Sequence, residues 1–213
     1  MPISLLTESP ELFVLWVLAI VFGITVHEFG HALAAFLQGD LTARALGRLT
    51  LNPLAHLDPF GFLMLLFAGF GWGKPTPYDP NNLRFRRWGS ALVGLAGPAV
   101  NLLFLVIFGF AFRLIVQTGH LGEENLLVQF LLLLIVINLV LMLFNLIPVP
   151  PLDGSKVLFS LLPAKFDQWK LQLEQRGPLL LLGLIVLDNF LNIGIFSTLF
   201  GGAQSLAFRL ILG

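Results

Sequence analysis

LFVLWVLAIVFGITVHEFGHALAAFL, residues 12–37, decides the fold. The run is long enough to cross a bilayer as a tilted helix, for which about 20 apolar residues suffice. Its second half carries His27-Glu28-Phe29-Gly30-His31. A helix puts residues i and i+4 on one face, so both imidazoles point the same way. This is the spacing that lets two histidines bind one Zn²⁺, with a carboxylate between them. The bland alternative is a chance pattern on an ordinary helix with exposed histidines. Ionisable groups inside hydrocarbon are costly and require a partner or a function, which weighs against that alternative.

Composition extends the same reading to the whole chain. Of 213 residues, 57% are hydrophobic and 11% charged, whereas a soluble domain is about a quarter charged. Mean hydropathy is +0.90. So much apolar surface has no place in one soluble core, and the solvent for most of the chain is lipid. Formal net charge is zero, which argues against a nucleic-acid partner. The chain has no Cys, so any metal must be held by His, Asp or Glu. The N-terminus lacks the basic region of a cleavable signal.

Two further long spans are expected at about Ala91–Val116 and Leu126–Ile147, and a fourth apolar region from Pro178 onward. Asp188-Asn189 and Gly201-Gly202 interrupt this last region, which reads either as one span plus an interfacial helix or as two short pieces. Asp167–Arg176 reads as a short amphipathic surface helix with Trp169 at the interface. Phe60–Trp72 is too short for a span and fits a re-entrant or interfacial segment. Arg44 and Arg48 precede it; Lys74, Arg84, Arg86 and Arg87 follow. The positive-inside rule puts both flanks in the cytoplasm. Glu8, Glu11, Glu123 and Glu124 mark the outside, where His120 is a solvated loop residue, and Lys156, Lys165, Lys170 and Arg176 the inside. The N-terminus is then outside, the active site lies toward the cytoplasm, and the protein is multi-pass in the cell membrane. The fold class is an all-α polytopic membrane protein. Residues 1–213 read as one domain, with a core at about 12–162, a C-terminal helical region at about 165–213 and no room for a soluble regulatory domain.

Two histidines leave a catalytic zinc one protein ligand short. Asp153, Asp58, His56 and Asp188 are candidates. Asp153 lies at the inner end of the third long span, level with His27 and His31, in a stretch broken by Pro148, Pro150 and Pro151. Irregular backbone at membrane depth is tolerated where it lines a cavity, which a hydrolase needs. An Asp just before the helix starting at Gly154 is equally a helix N-cap. Topology leaves both readings open.

HEFGH in an early span, Gly97-Pro98-Ala-Val-Asn101 in the next, and Asn145…Pro148…Pro150…Leu152-Asp153-Gly154 later together resemble the site-2 protease family of intramembrane zinc proteases. The resemblance covers about Gly23 to Leu162. It implies a three-helix transmembrane core, one Zn²⁺ per chain held by His27, His31 and Asp153, and Glu28 as general base. It also implies a transmembrane protein as substrate and the bilayer as setting. The chain shows neither an inserted PDZ domain nor CBS domains, and so is similar to the small group of the family.

Asn145 and Asn101 are candidates to bind substrate backbone or an oxyanion; interhelical hydrogen bonding is the other reading of a membrane Asn. Asn138 reads as a helix-packing residue. His56, in the segment before Phe60, is a candidate to assist catalysis or compete as a ligand, against a loop histidine bonded to Asp58 or backbone. Gly23 and Gly30 suit close helix approach. Residues Leu41–Leu51 are an expected edge strand that holds an unwound substrate by strand addition. A zinc-binding but non-proteolytic membrane protein, either pseudoprotease or transporter, is the competing functional class. A transporter needs ionisable groups staggered across the membrane, whereas these cluster at one depth. A pseudoprotease lacks Glu28 or a ligand, and none is missing here.

Overall fold

The computed structural model describes residues 4–68, 71–117, 121–122, 124–191 and 193–212; His120 and Glu123 lie outside them. A short helix α1 (Leu5–Glu8) leads into α2 (Pro10–Leu37). Pro10 sits at the start of α2, where its missing N–H costs no hydrogen bond. Gly39, at φ 99°, ends the helix. Asp40 N–H reaches back to the Ala35 carbonyl at 3.1 Å and Gly39 N–H to Phe36 at 3.0 Å, a glycine C-terminal cap. Then follow α3 (Thr42–Ala45), α4 (Pro59–Ala68), α5 (Gly89–Gln117), α6 (Leu126–Asn145), α7 (Gly154–Leu161), α8 (Asp167–Leu191) and α9 (Ile195–Leu212).

Among the described residues, α2, α5 and α6 are the helices long and apolar enough to cross a membrane. They match the three expected spans to within a few residues and form an all-α core. Small residues let them pack. A Cβ on Gly30 would lie 2.9 Å from the Ala96 carbonyl oxygen of α5, so only glycine admits the α5 backbone there. Phe22 of α2 meets Phe104 and Phe108 of α5 edge-on, with ring centroids 4.9 and 5.5 Å apart. Phe112 of α5 packs with Val128, Leu131 and Ile135 of α6.

The segment between α3 and α5 folds back on itself. Leu57 and Gly73 form an antiparallel bridge, and Lys74 N–H donates to the His56 carbonyl at 2.7 Å. The ten-residue α4 between them is about 15 Å long. Both ends of the segment are therefore side by side, the geometry a re-entrant piece requires.

Two expectations need correction. Leu41–Leu51 is not a strand; no strand occurs among the described residues. Buried Asp40 accepts the N–H of Thr42 at 3.1 Å and its hydroxyl at 2.6 Å, which starts the helical turn α3. Asp40 also accepts Asp79 N–H and the Asn82 amide, tying this turn to the loop before α5. Burial works to raise its pKa, yet these donors, Thr42 first, hold it below the usual carboxylate range. The second correction is at the C-terminus. Asp167–Arg176 is not a separate surface helix but the first turns of α8, which runs on through Pro178. Pro178 costs one backbone hydrogen bond. Gly177 before it lies against Pro150, where any side chain would collide. The break comes instead at Gly194, φ 77°, where the Asp188 carboxylate accepts Ile195 N–H at 2.7 Å. Gly201 and Gly202 lie inside α9 without interrupting it.

Candidate metal centre

Helix α2 presents His27 and His31 on the face that meets α5, both 5% exposed. Their rings stand 4.7 Å apart and nearly perpendicular. Asp153, 6% exposed, comes from the loop between α6 and α7. Its Oδ2 lies 3.0 Å from His27 Nε2 and 3.1 Å from His31 Nε2. Among the described residues, these three are the His, Cys, Asp or Glu group whose ligand atoms lie within 4.8 Å of one another. Asp58 instead caps α4 through Gly61 N–H at 2.7 Å, and Asp188 serves the α8–α9 turn. Asp153 does stand at the cap position of α7, but its side chain makes no capping bond. The carboxylate turns to the histidines instead.

The hydrogen bonds behind the rings fix their tautomers. His31 Nδ1 is 2.7 Å from the Val93 carbonyl, which can only accept, so Nδ1 carries the proton. His27 Nδ1 is 2.5 Å from Asn101 Oδ1. Asn101 is oriented by its own amide nitrogen, which donates to the Gly23 carbonyl at 3.2 Å and to Asn138 Oδ1 at 2.8 Å. Asn138 is oriented in turn by donating to the Leu134 carbonyl at 2.8 Å. His27 Nδ1 therefore carries its proton too. Both Nε2 atoms then bring lone pairs to a carboxylate oxygen about 3 Å away. Three buried acceptors facing one another repel unless a cation lies among them. Two imidazoles and one carboxylate oxygen are a donor set that suits Zn²⁺, and outer hydrogen bonds of this kind orient metal-bound histidines.

The α5 wall of the site is made by absence. A Cβ on Gly97 would lie 2.5 Å from His31 Nε2 and 2.6 Å from His27 Nε2. Val93, Gly97 and Asn101 follow at intervals of four and share one face of α5.

Glu28 is half-buried and held from the other side by the segment that follows the Leu57–Gly73 bridge. Thr76 N–H donates to its Oε2 at 2.8 Å, and the Thr76 hydroxyl to its backbone carbonyl at 3.1 Å. Buried Arg48 clamps the same segment by donating to the Lys74 carbonyl. Burial lowers the Arg48 pKa, and the negative charge of Glu28 opposes that shift. Lys156 Nζ lies 2.8 Å from Asp153 Oδ1.

The other candidates lie elsewhere. Asn145 donates back to the Leu141 carbonyl of its own helix at 3.0 Å. His56 is fully buried, and its Nε2 donates to the Thr50 carbonyl at 2.7 Å; neither His56 nor Asp58 joins the ligand cluster. The sequence reading gave no site role to Val93, Gly97, Lys156 or Thr76 and took Asn138 for packing alone. Gly97 had a signal, being one helical turn before Asn101. Thr76 and Lys156 had none, because their roles depend on long-range contacts.

The profile of Peptidase family M50 matches residues 114–186, which include Asp153 but not the HEFGH motif. A protein of Bacillus subtilis (strain 168), named "Putative zinc metalloprotease YwhC", is 42% identical over 176 residues, covering 80% of this chain and 79% of that one. Rip2 of Mycolicibacterium smegmatis, described in the same words, is 35% identical, covering 67% of this chain and 55% of its own. The similarly described sll0528 of Synechocystis is 30% identical, covering 68% and 32%. No solved structure gives a significant match. The chain belongs to Peptidase family M50, the site-2 protease family, and is a membrane zinc metalloprotease.

Proposed function

We propose that this protein is an intramembrane protease, hydrolysing peptide bonds within or near transmembrane helices of membrane proteins. The observation that carries this is the convergence of His27, His31 and Asp153 in the buried centre of a core built from three membrane-length helices. In this reading residues 1–213 act as one peptidase domain, with the N-terminus outside and the active site toward the cytoplasm.

His27, His31 and Asp153 are the ligands. Zinc, when bound, supplies a Lewis acid that acidifies a water and polarises a carbonyl. The protein does the rest. Glu28 is the general base. Thr76 N–H occupies Oε2, which leaves Oε1 to accept the proton and return it to the leaving amine nitrogen. Asn101 has its oxygen and amide nitrogen engaged with His27, Gly23 and Asn138, which supports a role in orienting His27 rather than in touching substrate. Asn145 ends α6, where the loop to Asp153 begins, and stands as the candidate amide for the substrate backbone. His56 supports the folded-back segment through Thr50. A helical peptide bond is shielded by its own hydrogen bonds, so the substrate unwinds locally before cleavage.

The test is zinc content and cleavage in detergent-purified protein. Wild type holds one zinc per chain, and His27→Ala and Asp153→Ala lose it. Glu28→Gln keeps zinc and loses about 10²–10⁴-fold in cleavage rate. Full zinc retention in Asp153→Ala overturns the ligand assignment, and undiminished cleavage by Glu28→Gln overturns the base.

A further inference from the structure

Asp153 has two oxygens, and the histidines face only Oδ2. Its Oδ1 is taken by Lys156 Nζ at 2.8 Å, three residues on in the first turn of α7. The Lys156 side chain is 28% exposed against 8% for Asp153. It also lies 5.6 Å from the ring centre of Tyr78, in the segment that holds Glu28 through Thr76. The lysine stem passes Gly94 of α5, where a Cβ would meet Lys156 Cδ and Cβ at 3.0 and 3.1 Å. Lys156 is thus fixed along its length.

We propose that Lys156 is a positioning residue that keeps Asp153 a one-oxygen ligand and so preserves the open position at the metal. The proposal rests on the zinc-protease reading above. A carboxylate bound through one oxygen keeps its second free to swing in as a further ligand, whereas a catalytic site must leave a position for water. A cation hydrogen-bonded to that second oxygen holds it away from the metal. Asp153 provides no capping bond to α7, so among the described residues Lys156 is the partner that engages Oδ1.

The experiment uses full-length protein loaded with Co²⁺, whose visible absorption is strong in four-coordinate sites and weak in five- or six-coordinate ones. Lys156→Met removes the charge and keeps the length; Lys156→Arg keeps a donor. The expected result is a several-fold weaker cobalt band in Lys156→Met, a wild-type band in Lys156→Arg, and a change of about tenfold to a hundredfold in zinc affinity by chelator competition for the Met variant. A wild-type spectrum and affinity in Lys156→Met would reduce the pair to an ordinary ion pair and overturn the proposal. So would a weakened band in both variants. If Lys156→Met does not fold, Lys156→Leu takes its place under the same criteria. Wild-type protein that takes up no cobalt or zinc sinks the metal-site reading itself, a result distinct from the others.

Discussion

The metal-bearing core and the less apolar C-terminal helix pair both expose large apolar side chains, yet they are held in place by different means. In α2 the buried residues are mostly small or polar: Ala19, Gly23, Thr25, His27, Gly30, His31, Ala32 and Ala35. Several large side chains of the pair point outward, with Leu179 73% and Phe190 81% exposed. Among the described residues, α8 and α9 bury little beyond Leu181, Asp188 and Ala207. Lipid is as apolar as leucine, so burying leucine against another helix gains little there. Close backbone approach and buried polar bonds position the core helices, and the core has both. The C-terminal pair relies on the Asp188 turn and on Ala207 against Leu105 and Leu139.

The comparison breaks most sharply at Gly97. Alanine there places a carbon among the two Nε2 atoms, and overpacking of about 1–3 kcal/mol falls directly on the ligands. Zinc affinity in Gly97→Ala should drop about tenfold to a hundredfold in chelator competition. Unchanged affinity would mean the histidines are not held against α5. Next comes Asn138, which touches no ligand. Asn138→Leu leaves the Asn101 amide held by the Gly23 carbonyl alone and loosens the partner of His27 Nδ1. About tenfold weaker zinc binding is expected, and undiminished binding would count against the orientation chain. The smallest effect belongs to the other region. Phe190→Ala should shift thermal stability in detergent by no more than about 0.5 kcal/mol and leave zinc binding untouched. A larger loss would show that α8 is packed by a partner and not by lipid.

Local chemistry made the helical, membrane-embedded class legible. An apolar run of span length has only one way to satisfy its backbone without closing a barrel, and HEFGH places two imidazoles on one face whatever surrounds the helix. Residues 41–51 misled because Thr and Leu suit strands, while Asp40 caps the chain into a turn instead. Asp167–Arg176 misled because a polar segment followed by Pro178 reads as a boundary, and Gly177 against Pro150 carries the helix through it.

The sequence by itself determined the spans, the paired histidines with Glu28, and a short list for the third ligand. Only the tertiary structure turned Asp153 from a helix cap into the partner of His27 and His31, because that choice depends on where a loop after α6 meets a face of α2. It also decided the orientation chain from Leu134 through Asn138 and Asn101 to His27, the Thr76 bond to Glu28 and the Lys156 bond to Asp153. Hydrogen bonds act over about 3 Å, and residues far apart in the chain come that close only when the helices have packed.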